Sequence, residues 1–312
     1  MKNKAKPKSR KPFPTHLLVF LAPAMLVYTI FMVYPLFDSL RLSFYDVNDF
    51  GKEVFVGFQN FIRLFTSVNW APRFWQALKN NVVFFLIHTF IQNPIGLLLA
   101  ALLTRMTIKG KNFFRTVFFM PTMLSFVLVG FIWKLILSPL WGIAKDILQM
   151  VGLGSLFGPW LGLESTALVT VSLISVWQYV GIPMMLFYAA LISIPDELVE
   201  ASMVDGANEW QAFWKIKFPI LLPTIGIVEM LTFVGNFNAF DLVFVVQGAM
   251  GNPEYSTDLL GVLFYRTTFG HQLQVGDPLM GATVASMMFI IILTGVLLYM
   301  FVWQKRVTTY EL

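Results

Sequence analysis

The chain contains no cysteine and only three histidines among 312 residues. Without thiols there is no disulfide framework, no thiol nucleophile and no cysteine-ligated metal. His16, His88 and His271 lie on separate segments and show no H-E-x-x-H spacing, which leaves a zinc hydrolase unsupported. A G-x-S-x-G elbow is missing too, removing the easiest serine-hydrolase reading. Gly51-Lys52 and Gly110-Lys111 lack both the earlier glycine and the following Ser or Thr of a phosphate loop. If ATP powers this protein, another chain must bind it.

Charge is scarce as well. Only 12% of residues are charged, against about 25% in an ordinary soluble domain. Hydrophobic residues make up 57%, and the mean hydropathy is +0.71. A water-soluble core cannot absorb that balance. The apolar residues collect in runs of about 20 or more, each long enough to cross a hydrocarbon core. Such runs lie at 17–37, 82–103, 113–137, 167–192, 220–246 and 279–303. They do not alternate as barrel strands must, so helices are expected, because lipid offers no partner for an unpaired backbone group. The expected fold is an all-α polytopic membrane protein with about six transmembrane helices.

Lys and Arg are retained on the cytoplasmic side, and their placement sets the orientation. Lys2, Lys4, Lys6, Lys8, Arg10 and Lys11 precede the first run. Arg105, Lys109, Lys111 and Arg115 separate the second from the third, Lys215 and Lys217 follow the fourth, and Lys305 and Arg306 close the sixth. Both termini are therefore expected in the cytoplasm. The net charge of +5 reads as topology, with no nucleic-acid partner implied and membrane lipid as the surroundings. Ala22-Pro23-Ala24 mimics a signal cleavage site, but the apolar run continues to Phe37, so an uncleaved anchor is expected. The chain divides into a basic tail (1–14), a first span with its outer loop (15–78), a transmembrane domain (79–305) and a C-terminal tail (306–312).

Two acids, Glu229 and Asp241, interrupt the fifth run. A carboxylate inside a span is costly enough that it faces a pathway or a partner group. Helical spacing puts Glu229, Phe233, Asn236 and Phe240 on one face, with Asn238 pointing elsewhere. Gln178 and Tyr179 of the fourth run complete the candidate pathway set. The structural alternative is that the polar groups bond to neighbouring helices and that Asp241 lies near the outer headgroups.

The stretch from Ser193 to Pro223 is the charged interruption between the fourth and fifth runs. Ser193 is suited to cap a helix, Pro195 to its first turn, and Asp196 and Glu197 complement the helix dipole. Gly206 supplies the left-handed conformation that ends that helix. Asn208 then caps a second helix, with Gln211 in the capping-box position and Glu209 in its first turn. Lys215 and Lys217 sit at its negative end, and Pro219 is expected to prevent simple continuation. A helix-turn-helix with small Ala201 and Ser202 beside large Trp210, Phe213 and Trp214 suits docking into another protein, or anchoring in the headgroup region.

The run Glu200-Ala201-Ser202, Asp205-Gly206-Ala207, Phe213, Ile216 and Pro219 resembles the cytoplasmic signature loop of binding-protein-dependent ABC importer permeases. That pattern begins E-A-A and places a glycine four residues after the second alanine, where Gly206 stands. Ser202 departs from the second alanine, and Phe218 from the leucine usual before the proline. The resemblance extends to the carbohydrate-uptake branch through LAPAMLVYTIFMVYPLFDSLRLSFYD (21–46), FVGFQNFIRLF (55–65), FFRTVFFMPTMLSFVLVGFIWKLIL (113–137) and VWQYVGIPMMLFYAALISIPDELVEAS (176–202). VQGAMGNP at 246–253 departs from the family's Gly-Gly-Pro turn on the outward side.

The resemblance implies the ABC importer type I permease fold in a bacterial or archaeal cytoplasmic membrane. It implies a second permease subunit, two ATPase subunits that bind the ATP and Mg, and an extracytoplasmic solute-binding protein delivering a sugar-class solute. The chain itself would carry no cofactor and no catalytic residue. By the same resemblance the loop at 193–219 couples to the ATPase through Glu200, Ala201, Ser202, Asp205, Gly206, Ala207, Phe213 and Pro219. The competing reading is a secondary transporter in which Glu229 carries a proton; no convincing pair of broken inverted repeats supports it. A membrane-embedded enzyme lacks the motifs it would need.

Overall fold

The computed structural model describes residues 15–104, 110–272 and 274–306. The basic tail, Arg105, Lys109 and the C-terminal tail from 307 lie outside the described residues.

Among the described residues, four helices are long and apolar enough to cross a membrane: Val19–Leu42, Ala71–Thr104, Glu209–Phe237 and Pro278–Trp303. Counting each of two bent pairs as one span, Lys111–Met123 with Phe126–Ile136 and Glu164–Tyr179 with Gly181–Ile192, gives up to six. They are called the first to sixth spans in chain order.

Three of the apolar runs prove to be interrupted. The third turns by 97° between its halves. Pro121 stands in a tight 3-10 turn, Met120–Met123, after which Leu124 is extended and Ser125 caps the next helix by accepting from Val127 N–H at 3.3 Å. The fourth bends by 43° at Val180. Pro183 has no N–H to donate back to Tyr179, so the ladder breaks there. The expected run at 220–246 ends at Phe237; Asn238, Ala239 and Phe240 leave the helix, and Asp241–Gln247 forms a separate short one. Averaged hydropathy sees none of these breaks, because the few polar residues beside them leave each run apolar overall.

Pro219, in contrast, does not stop its helix. One π turn, Phe213–Lys217, precedes it, in which Phe218 N–H bonds the Phe213 carbonyl. The wider turn shifts the hydrogen-bond register where the proline would otherwise leave a gap.

The outer loop after the first span is ordered into a hairpin, Tyr45–Val47 against Glu53–Phe55, and a helix, Gln59–Thr66. Asn60 ties them together, its Nδ2 donating to the carbonyls of Ser43 at 3.2 Å and Tyr45 at 2.7 Å. The boundary expected at 78/79 falls inside the helix Ala71–Ile87. Arg73, Gln76 and Lys79 disguise its first turns as loop, yet Phe74, Ala77 and Asn80 are buried.

Three apolar clusters hold the bundle. One joins Phe84, Val129, Val171 and Val243; a second joins Ala100, Met184, Leu191 and Leu221; a third joins Phe74, Phe237, Leu260 and Met280. Gly96 marks a close helix crossing, since a Cβ there would stand 3.0 Å from Met184 N and 3.1 Å from Pro183. Small residues allow such approach where lipid supplies no hydrophobic drive between helices. The first span stands apart: Phe20, Phe31 and Tyr34 are exposed, and its contacts run along the sixth span.

Candidate coupling loop and membrane cavity

The loop at 193–219 folds as the helix Asp196–Val204, a tight turn, and the start of the long helix Glu209–Phe237. The first cap differs from expectation. Ser193 keeps helical angles and donates its hydroxyl to the Ala190 carbonyl at 2.8 Å, so Pro195, with ψ of 134°, is the residue at the N-cap.

The turn follows the expected chemistry. Gly206 has φ of +86°, Gly206 N–H donates to the Met203 carbonyl at 3.0 Å, and Ala207 N–H donates to the Ser202 carbonyl at 2.9 Å. That double bond is the Schellman arrangement. Asn208 and Gln211 form the capping box.

This knob is rigidly seated and openly presented. Ile194 and Phe213 pack into the cluster of the second, fourth and fifth spans. Trp214 stacks edge-on against Trp210 and Phe213 and tilts over Phe218, at 4.8 to 5.6 Å between ring centroids. At the tip Val204 is 87% exposed, while Glu200, Ala201, Asp205 and Gly206 all face outward. Ser202 and Ala207 are half-buried as turn partners, and so is Pro219. A Cβ on Gly206 would meet no atom of this chain, so the surface beside the turn is open.

The second feature is a cavity of about 460 Å³ among the second, fourth and fifth spans, within the size range of small-molecule sites. It lies beside the break at Asn238–Phe240, where departure from helical backbone is tolerated because it lines a cavity. Of the candidate pathway residues, Tyr179, Asn236 and Phe240 line it.

Gln178, Glu229 and Phe233 do not. Gln178 donates its Nε2 to the Leu124 carbonyl at 3.1 Å, pinning the bend of the third span. Glu229 accepts from Thr89 Oγ1 and Asn93 Nδ2, both at 2.9 Å, so its carboxylate clasps the second span. Phe233 packs edge-on against Phe85 at 5.4 Å. The helix-bridging alternative thus describes Glu229 better than the pathway reading.

Asn238, expected on another face, also lines the cavity, since helical periodicity no longer applies past Phe237. Asp241 joins it at the start of its own helix. His88, Gln92 and Ser175 were missed. His88 Nδ1 donates to the Phe84 carbonyl at 2.8 Å, and its Nε2 meets Ser175 Oγ at 3.0 Å. The available signal was a pair of polar residues four apart, His88 and Gln92, within an apolar run.

Comparisons with known proteins agree with this architecture. Residues 92–307 match the family model described as binding-protein-dependent transport system inner membrane component. A probable ABC transporter permease of Bacillus subtilis, YurN, is 36% identical over 80% of this chain and 84% of its own length. The lactose transport system permease LacF of Rhizobium radiobacter is 32% identical over 80% and 82%, respectively. The probable starch degradation products transport system permease AmyD of Thermoanaerobacterium thermosulfurigenes is 31% identical over 92% and 94%. Among solved structures, a chain of a bacterial ABC transporter that imports the acidic polysaccharide alginate superposes with a TM-score of 0.78 at 22% identity, covering 94% of this chain and 96% of that one. Broken spans, an exposed two-helix knob and these matches converge, and the chain belongs to the family of inner membrane components of binding-protein-dependent transport systems.

Proposed function

We propose that this chain is one of two permease subunits that together form the translocation pathway of an ABC importer for a sugar or related polar solute. A solute-binding protein delivers the solute from outside, and two ATPase subunits supply the ATP and Mg site that this chain does not carry. The chain performs no catalysis of its own. The loop and both termini face the cytoplasm. Relatives named for lactose and for starch degradation products support the sugar class.

The observation that carries the reading is the knob at 196–212. Its tip is exposed at Val204 and its base is locked by Ile194 and Phe213 into the cluster that holds three spans. A rigid link of this kind passes the closure of a docked ATPase to the helices as rocking.

The absence of native cysteine makes the test clean. In Val204→Cys, the single thiol should react with a membrane-impermeant maleimide in inverted but not right-side-out vesicles, and crosslink to the ATPase subunit in the assembled complex. Labelling from the outside, or a thiol that never reaches the ATPase, would sink the reading. Uptake by this chain alone, with a proton gradient and without ATP, would instead favour a secondary transporter.

A further inference from the structure

Residues 138–163 join the third span to the fourth at the end of the bundle opposite the knob, and Lys145 and Asp146 are their only charges. A loop washed by water would approach the charge content of a soluble domain, about 25%. Within this stretch lies the short helix Ala144–Met150, whose three faces are unlike. Ala144 packs with Trp160 and Leu161 on the cluster of Phe84, Val129, Val171 and Val243, and Leu148 follows on the same side, half-buried. Lys145, Asp146 and Gln149 form an exposed polar side. Between the two, Ile143, Ile147, Met150 and Val151 make an apolar stripe at the spacing of one helix face. No side chain among the described residues covers it: Met150 is 87% exposed and Ile147 52%.

We infer that this helix lies in the membrane boundary with its apolar stripe in lipid and anchors the end of the third span there, in the outer leaflet if the knob is cytoplasmic as proposed above. Gly142 fixes the depth. A Cβ on it would collide with the carbonyl oxygens of Leu135, Ile136 and Ser138, and its N–H donates to the Ser138 carbonyl at 2.9 Å. The chain therefore folds back onto the end of the span it has just left. Trp141, 84% exposed, and Ile143 are held against that end, the level at which aromatic belts form. Leu128, Phe131 and Leu135 are exposed along one face of the same span, so the stripe extends apolar surface that the span already presents. Lipid suits the stripe better than a protein partner does. Its side chains offer no donor or acceptor, whereas a protein interface carries about one hydrogen bond per 100–200 Å². A solute-binding protein that docks and leaves would also return the stripe to water at each release. In the boundary, Lys145, Asp146 and Gln149 meet headgroups and water while the opposite side sinks about 5–10 Å.

The test places single cysteines in the cysteine-free chain as Lys145→Cys, Ile147→Cys, Gln149→Cys and Met150→Cys, each carrying the same nitroxide spin label. The permease–ATPase complex, its partner subunits freed of cysteine, is reconstituted in liposomes without binding protein. Collision with oxygen, which concentrates in lipid, is compared with collision with a nickel chelate confined to water. Labels at 147 and 150 should favour oxygen several-fold over those at 145 and 149 and report a depth of about 5–10 Å below the phosphates. Equal nickel access at all four sites would overturn the inference and leave the stripe as a docking face for a soluble protein. Shielding of 147 and 150 from both reagents would overturn it too, with the second permease as the cover. The unmodified complex supplies a measurement that no substitution disturbs. A phospholipid with a diazirine near its headgroup should crosslink within residues 140–151, and the absence of such adducts would overturn the inference. None of these readouts depends on which leaflet holds the helix or which solute is carried, so failure here is distinct from failure of the importer reading.

Discussion

Asn208 and Gln211 hold each other across the start of the second knob helix. Gln211 N–H donates to Asn208 Oδ1 at 2.9 Å, and Asn208 N–H donates to Gln211 Oε1 at 3.0 Å. Because this helix runs on to Phe237, the box anchors the cytoplasmic end of the fifth span. Asn208→Ala should cost about 1 kcal/mol locally. Faster amide exchange at 209–212, with the spans still protected, is the expected result; unchanged exchange would show that tertiary packing alone holds the turn.

Gly206 separates conformation from contact. At φ of +86°, valine is strongly disfavoured, whereas asparagine tolerates the left-handed region. Gly206→Val should leave the protein in the membrane but uncouple ATP hydrolysis from uptake. Gly206→Asn keeps the turn and adds a side chain only on the open side, so any loss it shows reports the docking surface. Normal ATP-driven uptake by the valine variant would remove the coupling assignment.

Outside the spans, Arg266 grips Asp258 through both carboxylate oxygens, at 3.1 and 2.6 Å, and both side chains are fully buried. Asp258→Ala strands the guanidinium and should destabilise the region by about 3–5 kcal/mol, read as a lower thermal midpoint of the purified complex. Burial pushes the Asp258 carboxyl up to about 6, with Arg266 pulling the other way. A folded value above the unfolded one means the folded state holds the proton more tightly, so stability falls as pH rises towards about 6 and is level above it. Wild-type protein should gain stability between pH 7 and 5 by a component that Asp258→Asn lacks; parallel profiles would refute this.

The clasp at Glu229 predicts a structural phenotype. Glu229→Ala removes the acceptor of Thr89 Oγ1 and one partner of Asn93 Nδ2, which also donates to Thr232 Oγ1 at 3.1 Å. A loss of about 1–3 kcal/mol is expected, with Glu229→Gln milder. Collapsing the proton gradient should leave ATP-driven uptake unchanged in the wild type. Gradient-dependent uptake abolished by Glu229→Gln would restore the proton-carrier reading.

Much of the knob was legible because capping forces act over three or four residues. Asn208, Gln211 and Gly206 announce their hydrogen bonds by spacing alone. Ser193 misled, since a serine caps a following helix only when its backbone has left the preceding one, and the packing of Ile194 decides that. The cavity was half legible. Asn236 stood out as a polar residue within an apolar span, but Glu229 and Phe233, on the same helical face by spacing, turn to the second span instead.

By itself, the sequence determined that this is a helical membrane protein with a capped two-helix knob, because run length, charge placement and caps are local properties. Only the tertiary structure decided where the spans break and which polar residues meet. Hydropathy is blind to direction, and a helix does not reveal which neighbour will satisfy its buried groups. Gln92 and Asn236 line one cavity because the fifth span packs beside the second.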